Sequence, residues 1–270
     1  DYDDLFEVLS QEKDVVGIIN PFVSAYHRKA NEQLEGQLGS LKIAISKIIS
    51  REIYWICSGD DFSLDINNPK APKIVCLANN PLRIEMYGAV LSLYITRMLK
   101  IINRKGQHPS SLIFDELPTI YFRGLDTLIA TARANRISTL LGMQTIDQLI
   151  RDYGKEQANA ILTNIGNVFS GQAAGETAKF MQNRMGKILQ ERQAININRN
   201  TQSTTISTQM DYLVPEGKIA TLPQGYMVGQ LTDNYGEQIS QKNFNCLIHV
   251  DTKEIEKEEK GYRPIPDFYK

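Results

Sequence analysis

Ser111-Leu112-Ile113-Phe114-Asp115-Glu116 is an apolar run of strand length that ends in two adjacent carboxylates. In nucleotide-hydrolysing α/β proteins a carboxylate at such a strand end holds the water shell of magnesium, and a following glutamate can orient the attacking water. Acidic pairs also end strands for solubility alone, so the surrounding pattern has to choose between the two readings. Downstream, a helix-length connection leads to a second apolar run, Thr139 to Met143, which ends in Gln144. A glutamine there can sense a γ-phosphate or help position water; the alternative is a helix N-terminal residue bonding its own backbone. Two polar groups at the ends of consecutive strands lie on the face where open α/β sheets bind ligands.

Outward from these strands the pattern repeats. Short apolar runs at Ile53 to Cys57, Ile74 to Ala78, Leu112 to Phe114, Thr139 to Met143, Val168 to Ser170, Met227 to Leu231 and Phe244 to Val250 alternate with helical stretches. Those stretches are Leu82 to Asn103, Gly124 to Asn135, Ile146 to Arg151, Lys155 to Ile165 and Glu176 to Met185. Such alternation predicts an α/β fold with a mostly parallel sheet flanked by helices. Leu82 to Asn103 is apolar nearly all round, as suits a buried helix. Before the sheet, Phe22 to Ile53 reads as helical, with Leu34, Leu38, Leu41, Ile45 and Ile48 on one face and a helix start at Pro21. Asp60-Asp61 and Asn67-Asn68-Pro69 mark a loop. The expected division is residues 1–50 as part of an all-α domain, 51–250 as a nucleotide-binding domain, and 251–270 as a charged, solvent-facing tail with Pro264 and Pro266.

Between Gln190 and Met210, 13 of 21 residues are Asn, Gln, Ser or Thr. That composition buries little apolar area, which leaves a mobile excursion or a weak hairpin using Ile195, Ile197 and Ile206.

The chain has 30 Lys plus Arg against 31 Asp plus Glu, so its net charge of -1 argues against coating nucleic acid by bulk attraction. A local excess of four cations remains between Pro81 and His108, where Arg83, Arg97, Lys100, Arg104 and Lys105 face Glu85 alone. Helix C-termini favour cations, so no DNA-contact residue is assigned from it. Cys57, Cys76 and Cys246 are isolated in apolar segments and read as buried hydrophobes of a reducing compartment. Tyr54 and Trp55 read as core or a domain seam. His27, His108 and His249 lack metal-ligand spacing and read as structural. No apolar run reaches membrane-span length; the uncharged stretch from Gln157 to Gly175 is rich in Asn, Gln and Thr.

Four segments in order carry a resemblance: Leu112 to Pro118 (LIFDELP), Leu141 to Thr145 (LGMQT), Ser170-Gly171-Gln172, and Lys218 to Gly225 (KIATLPQG). Together they resemble the C-terminal half of TraG/TraD-type conjugative coupling proteins, relatives of the FtsK-like DNA pumps, over most of residues 50 to 250. The resemblance implies a RecA-like P-loop NTPase fold. It also implies a homo-hexameric ATPase, anchored in the bacterial inner membrane with this portion cytoplasmic. Such a protein recruits single-stranded DNA with its bound relaxase, meets relaxosome adaptor proteins, and drives the strand into a type IV secretion channel. On that basis Asp115 and Glu116 match the Walker B pair, with Asp115 reaching Mg2+ and ATP through water and no residue ligating metal directly. Gln144 matches the glutamine after the next strand. Arg133, in Ala132-Arg133-Ala134-Asn135-Arg136, falls where the family places an arginine that reaches a neighbouring subunit's ATP. A solvated arginine at a helix end is the other reading, and Arg136 competes for the role.

One part of the pattern is missing. A phosphate-cradling loop needs G-x-x-x-x-G-K-[ST], and the chain has none. Gly171 to Thr177 (GQAAGET) has three residues between its glycines and puts Glu176 where lysine is needed. The family carries its P-loop and membrane anchor upstream of the helical piece, so the chain, which starts at Asp1, is expected to begin after both. By itself it is expected to be inactive and monomeric or weakly associated. Two other readings stay open: a non-catalytic module that docks a relaxosome adaptor, and an FtsK-like chromosomal translocase, against which stands the absence of a basic winged-helix tail.

Overall fold

The computed structural model describes residues 2–11, 13–46, 48–198, 201–233, 236–239 and 242–263. Backbone contacts divide the chain into two units. The first holds residues 1–112, 119–124 and 131–138; the second holds 113–118, 125–130 and 139–270.

The first unit opens with helices α1 (Tyr2–Ser10), α2 (Lys13–His27), α3 (Asn31–Ser46) and α4 (Arg51–Ser58), so the expected all-helical start is present. Phe6 is buried between Tyr2 and Tyr26, whose rings lie 6.2 and 5.7 Å from its own, and this aromatic cluster joins α1 to α2. Pro21 lies inside α2 rather than at its start. Buried Ile19 and Ala25 anchor the helix on either side of the hydrogen bond that proline cannot make. The expected run from Phe22 breaks at Lys29, which takes a left-handed φ of 57° before α3 begins. Leu34 is buried, but Leu41, Ile45 and Ile48 of the same stripe are exposed.

Two expected strands do not form. Ile53 to Cys57 lies within α4, because Ser50 caps that helix: its Oγ accepts from the Ile53 amide at 3.1 Å. The β-branched and aromatic composition that suggested a strand is outweighed by this local cap. Tyr54 and Trp55 are exposed on α4, not in a core, although Trp55 does have contacts. Ile74 to Ala78 forms no regular element and pairs with no strand among the described residues, and Ile74 is 95% exposed. All three cysteines are exposed, correcting their reading as buried hydrophobes.

The expected loop at Asn67-Asn68-Pro69 is present and is stapled down by Asn67, which is 3% exposed. Its Nδ2 donates to the carbonyl of Ile102, and its own carbonyl accepts from the His108 amide at 2.9 Å. Those bonds hold the end of α5 (Ile84–Ile102), which buries Leu91, Ile95, Met98, Leu99 and Ile102. A 3-10 turn over Pro81–Arg83, capped by Asn80, precedes that helix.

Strand β1 (Ser110–Phe114), helix α6 (Leu125–Ala132) and strand β2 (Ile137–Leu141) follow as a β-α-β sequence, and β1 pairs with β2. The Ser110 amide donates to the Arg136 carbonyl, and the Gly142 amide to the Phe114 carbonyl. Both bonds join like ends, so the pair is parallel, as a helical crossover requires.

The second unit continues with α7 (Ile146–Tyr153), α8 (Lys155–Asn164), β3 (Val168–Ser170) and α9 (Gly175–Met185), close to the expected bounds. Next comes a hairpin, β4 (Lys187–Asn198) with β5 (Thr201–Tyr212), paired from Lys187↔Tyr212 to Asn198↔Thr201. The polar segment is therefore a twelve-residue ladder, in which Ile195 pairs Thr204, Ile197 pairs Gln202 and Ile206 pairs Gln193. Helix α10 (Glu216–Ala220), strands β6 (Tyr226–Gln230) and β7 (Asn243–Leu247), and helix α11 (Thr252–Glu259) complete the unit. Ala178, Met181 and Met185 of α9 pack with Val214, Ile219, Leu222 and Val228 to form its core. The sheet order is β3-β6-β7, and both ladders are antiparallel. Parallel pairing among the described ladders thus belongs to β1 and β2. The link from β6 to β7 has no crossover helix, so the chain returns antiparallel. The residues of α11 are exposed; Pro264 and Pro266 lie outside the described residues.

Candidate active site

Where β1 ends, the backbone folds tightly onto the end of β2. The Gly142 amide donates to the Phe114 carbonyl at 2.7 Å, and the Leu117 amide donates to the Gly142 carbonyl at 2.9 Å. These two bonds turn Asp115-Glu116 back over Gly142, and Leu117, 1% exposed, anchors the far side of the turn. Glu116 takes a φ of 52°, in the left-handed region. A non-glycine residue occupies it at a cost of roughly 1–2 kcal/mol. Such conformations cluster at functional sites, where surrounding bonds hold them.

The turn points both acids outward; Asp115 and Glu116 are exposed. Gln144 Nε2 donates to Glu116 Oε1 at 2.9 Å. Of the two readings for Gln144, self-capping is therefore not the one seen, because capping of α7 falls to Thr145, whose Oγ1 accepts from the Gln148 amide. The next amide, Ile146, donates to Thr177 Oγ1 at 3.0 Å, which ties the start of α7 to α9. Asp115, Glu116 and Gln144 are thus brought together by the register of one parallel strand pair.

Sequence reasoning missed two members of this arrangement. A Cβ on Gly142 would lie 3.2 Å from Asp115 Oδ1 and 3.4 Å from the Phe114 carbonyl, so a larger residue here would press on the acid by a few tenths of an ångström. Thr177 sits in the Gly171 to Thr177 stretch that superficially resembles a phosphate loop. There Gln172 Nε2 donates to the Ala220 carbonyl and Glu176 pairs with Lys179 at 2.9 Å. The stretch is occupied with its own contacts and is no phosphate cradle.

Arg133 lies in the first unit, in a 3-10 turn (Arg133–Asn135) between α6 and β2. Its side chain is exposed and makes no hydrogen bond or ion pair among the described residues. Arg136 differs: it has a φ of 57°, and its Nη2 donates to the Gln107 carbonyl at 3.3 Å. Of the two candidate arginines, the unengaged one is Arg133.

The donor set fits magnesium-nucleotide only in part. Two exposed strand-end carboxylates can accept from the water shell of a magnesium ion. Within residues 1–270 no glycine-rich backbone cradle exists for the phosphates. Among the described residues no three His, Cys, Asp or Glu side chains could together hold a metal ion, and no helix is long and apolar enough to cross a membrane. His27, His108 and His249 are all exposed.

No curated protein sequence matches the chain. Residues 109–224, which include Asp115, Glu116, Arg133 and Gln144, match the profile of a domain family described as the TraM recognition site of TraD and TraG. Three solved structures are similar. The trigonal form of the bacterial conjugative coupling protein TrwBdeltaN70 with sulphate is 15% identical, with a TM-score of 0.56 over 82% of this chain and 55% of that one. Plasmid coupling protein TrwB with the GTP analogue GDPNP is 16% identical, with a TM-score of 0.55 over 82% and 50%. TrwB with ADP and Mg2+ is 15% identical, with a TM-score of 0.50 over 72% and 44%. At these identities the likeness shows the fold, the RecA-like α/β arrangement, and the chain spans about half the length of the structures it matches. The profile match encloses both strands and both acids, so residues 109–224 are the part of the chain that is similar to the C-terminal region of TraG/TraD-type conjugative coupling proteins.

Proposed function

We propose that the chain is the strand-end half of the ATPase site of a conjugative DNA pump, with the phosphate cradle supplied from outside residues 1–270. The observation that carries this reading is the Gln144–Glu116 hydrogen bond across the ends of adjacent parallel strands, on a turn that exposes Asp115 beside it. The family match supports the conjugative setting. Magnesium, when bound with the nucleotide, neutralises charge on the β- and γ-phosphates.

In this reading Asp115 accepts hydrogen bonds from the metal's water shell and so orients it. Glu116 accepts the proton of the attacking water, and its strained turn holds the carboxylate outward to do so. The Gln144 amide fixes one Glu116 oxygen, and its own carbonyl oxygen is a further acceptor for that water. Arg133 stabilises negative charge as it develops on the phosphoryl group of a neighbouring subunit's nucleotide, which makes the working unit an oligomer, a hexamer by family resemblance. The cargo is single-stranded DNA with its relaxase, delivered to a type IV secretion channel by a protein anchored in the inner membrane with this portion cytoplasmic.

The test is Glu116→Gln in the complete native polypeptide. Nucleotide binding is expected to persist while turnover falls by about two orders of magnitude, as for loss of a general base. Unchanged turnover removes Glu116 from the mechanism. A second reading, a non-catalytic docking module for a relaxosome adaptor, is favoured by the family description itself. It predicts that a TraM-type adaptor binds residues 1–270 with equal affinity before and after that substitution while no ATPase activity is found in the complete polypeptide.

A further inference from the structure

Arg133 is exposed, yet the backbone that carries it is gripped from both sides by a single side chain. Asn103, half-buried just after α5, donates from Nδ2 to Thr131 Oγ1 at 2.8 Å. Its Oδ1 accepts from Asn135 Nδ2 at 2.6 Å. Thr131 is two residues before Arg133 and Asn135 two residues after it. One amide therefore spends its donor and its acceptor on the two ends of the turn.

Other contacts hold both parts of this clamp. Asn103 is itself fixed by its backbone amide, which donates to the Leu99 carbonyl at the end of α5. Ala132, inside the turn, is 2% exposed and pins it from below. The Arg136 amide closes the turn onto the Arg133 carbonyl at 3.1 Å, and the Arg136 side chain is tied to Gln107. The outcome is a rigid pedestal bearing one unpaired guanidinium. A solvated arginine at a helix end requires no such support, whereas a side chain that must meet a phosphoryl group within a few tenths of an ångström does.

We propose that Asn103 is a positioning residue for Arg133, holding the Thr131–Asn135 turn so that the guanidinium is presented for phosphoryl transfer in a neighbouring subunit. The proposal rests on the reading of Arg133 given above. Asn103 touches no reacting atom and acts only through Arg133.

The test is steady-state ATPase kinetics of the complete native polypeptide. Four proteins are compared: wild type, Arg133→Ala, Asn103→Leu and the double variant. Arg133→Ala is expected to lower kcat by roughly 10³-fold. Asn103→Leu removes both clamp bonds and is expected to lower kcat by about 10-fold or more with KM for ATP unchanged, because the nucleotide sits in another subunit. The decisive readout is the double variant, which is expected to be no slower than Arg133→Ala alone; a general structural defect would instead multiply the two losses. Asn103→Asp keeps the acceptor for Asn135 and is expected to recover part of the lost rate. If Asn103→Leu does not fold, Asn135→Ala, which removes one arm of the clamp, replaces it in the same cycle.

A normal rate for the Asn103 and Asn135 variants beside a crippled Arg133→Ala overturns the clamp and leaves the arginine reading standing, and multiplicative losses do the same. A normal rate for Arg133→Ala overturns the arginine reading and the clamp with it.

Discussion

The Gln144 amide and the Glu116 carboxylate meet at 2.9 Å although 28 residues separate them in the chain. Neither residue is placed by a contact of its own choosing. Gln144 stands two residues beyond Gly142, whose amide and carbonyl both bond the β1 turn, and Glu116 lies in the left-handed conformation that this turn imposes. The pair is thus a product of strand register, and disturbing the register should disturb the chemistry before it disturbs the fold.

Gly142→Ala tests this. The new methyl group would sit 3.2 Å from the side-chain oxygen Asp115 Oδ1, closer than ordinary packing, while Asp115 Cα at 3.5 Å is in ordinary contact. The acid turn must yield by a few tenths of an ångström. We expect turnover in the complete polypeptide to fall at least about 10-fold while the melting temperature drops by only a few degrees, in keeping with a local overpacking cost of roughly 1–3 kcal/mol. Wild-type turnover would show that the turn accommodates the methyl group without displacing the acids.

Gln144→Leu tests the hydrogen bond directly. It removes the donor that meets Glu116 Oε1 at 2.9 Å and leaves the strand pairing intact. We expect turnover in the complete polypeptide to fall about 10-fold while nucleotide binding persists, as for loss of a group that orients a general base. Wild-type turnover would separate Gln144 from the mechanism.

Asn67→Ala probes the scaffold rather than the chemistry. The side chain is nearly fully buried and supplies a donor to the Ile102 carbonyl at the end of α5. Removing it leaves buried acceptors unpaired, at a typical cost of about 1–3 kcal/mol. Thermal unfolding of residues 1–270 should shift down by several degrees, and Asn67→Asp, which returns only acceptors, should not restore it. Stability equal to wild type would mean that water or a shift of the loop replaces the bond.

How far the protein could be read from its residues depends on the range of the signal. An apolar run closed by Asp115-Glu116 and the helices from Ile84 to Met185 were legible, because periodicity and turn residues act over a few positions, whereas the composition of Gln190 to Met210 left a hairpin as one of two readings. Sequence alone therefore determined the α/β class, the position of the acids at a strand end and the lack of a phosphate cradle. Ile53 to Cys57 was misread because β-branched and aromatic content is a weak local preference that a single serine cap can override. The exposure of Cys57, Cys76 and Cys246 was hidden for a related reason: burial depends on what packs against a segment, not on its composition. Tertiary structure alone decided that Gln144 bonds Glu116 rather than its own helix, that Gly142 makes room for Asp115, and that Asn103 grips Thr131 and Asn135. Each of those contacts joins residues about 27 or more positions apart through a register or a helix end. Short-range pattern carries no information about such pairs until the strands are paired and α5 is packed.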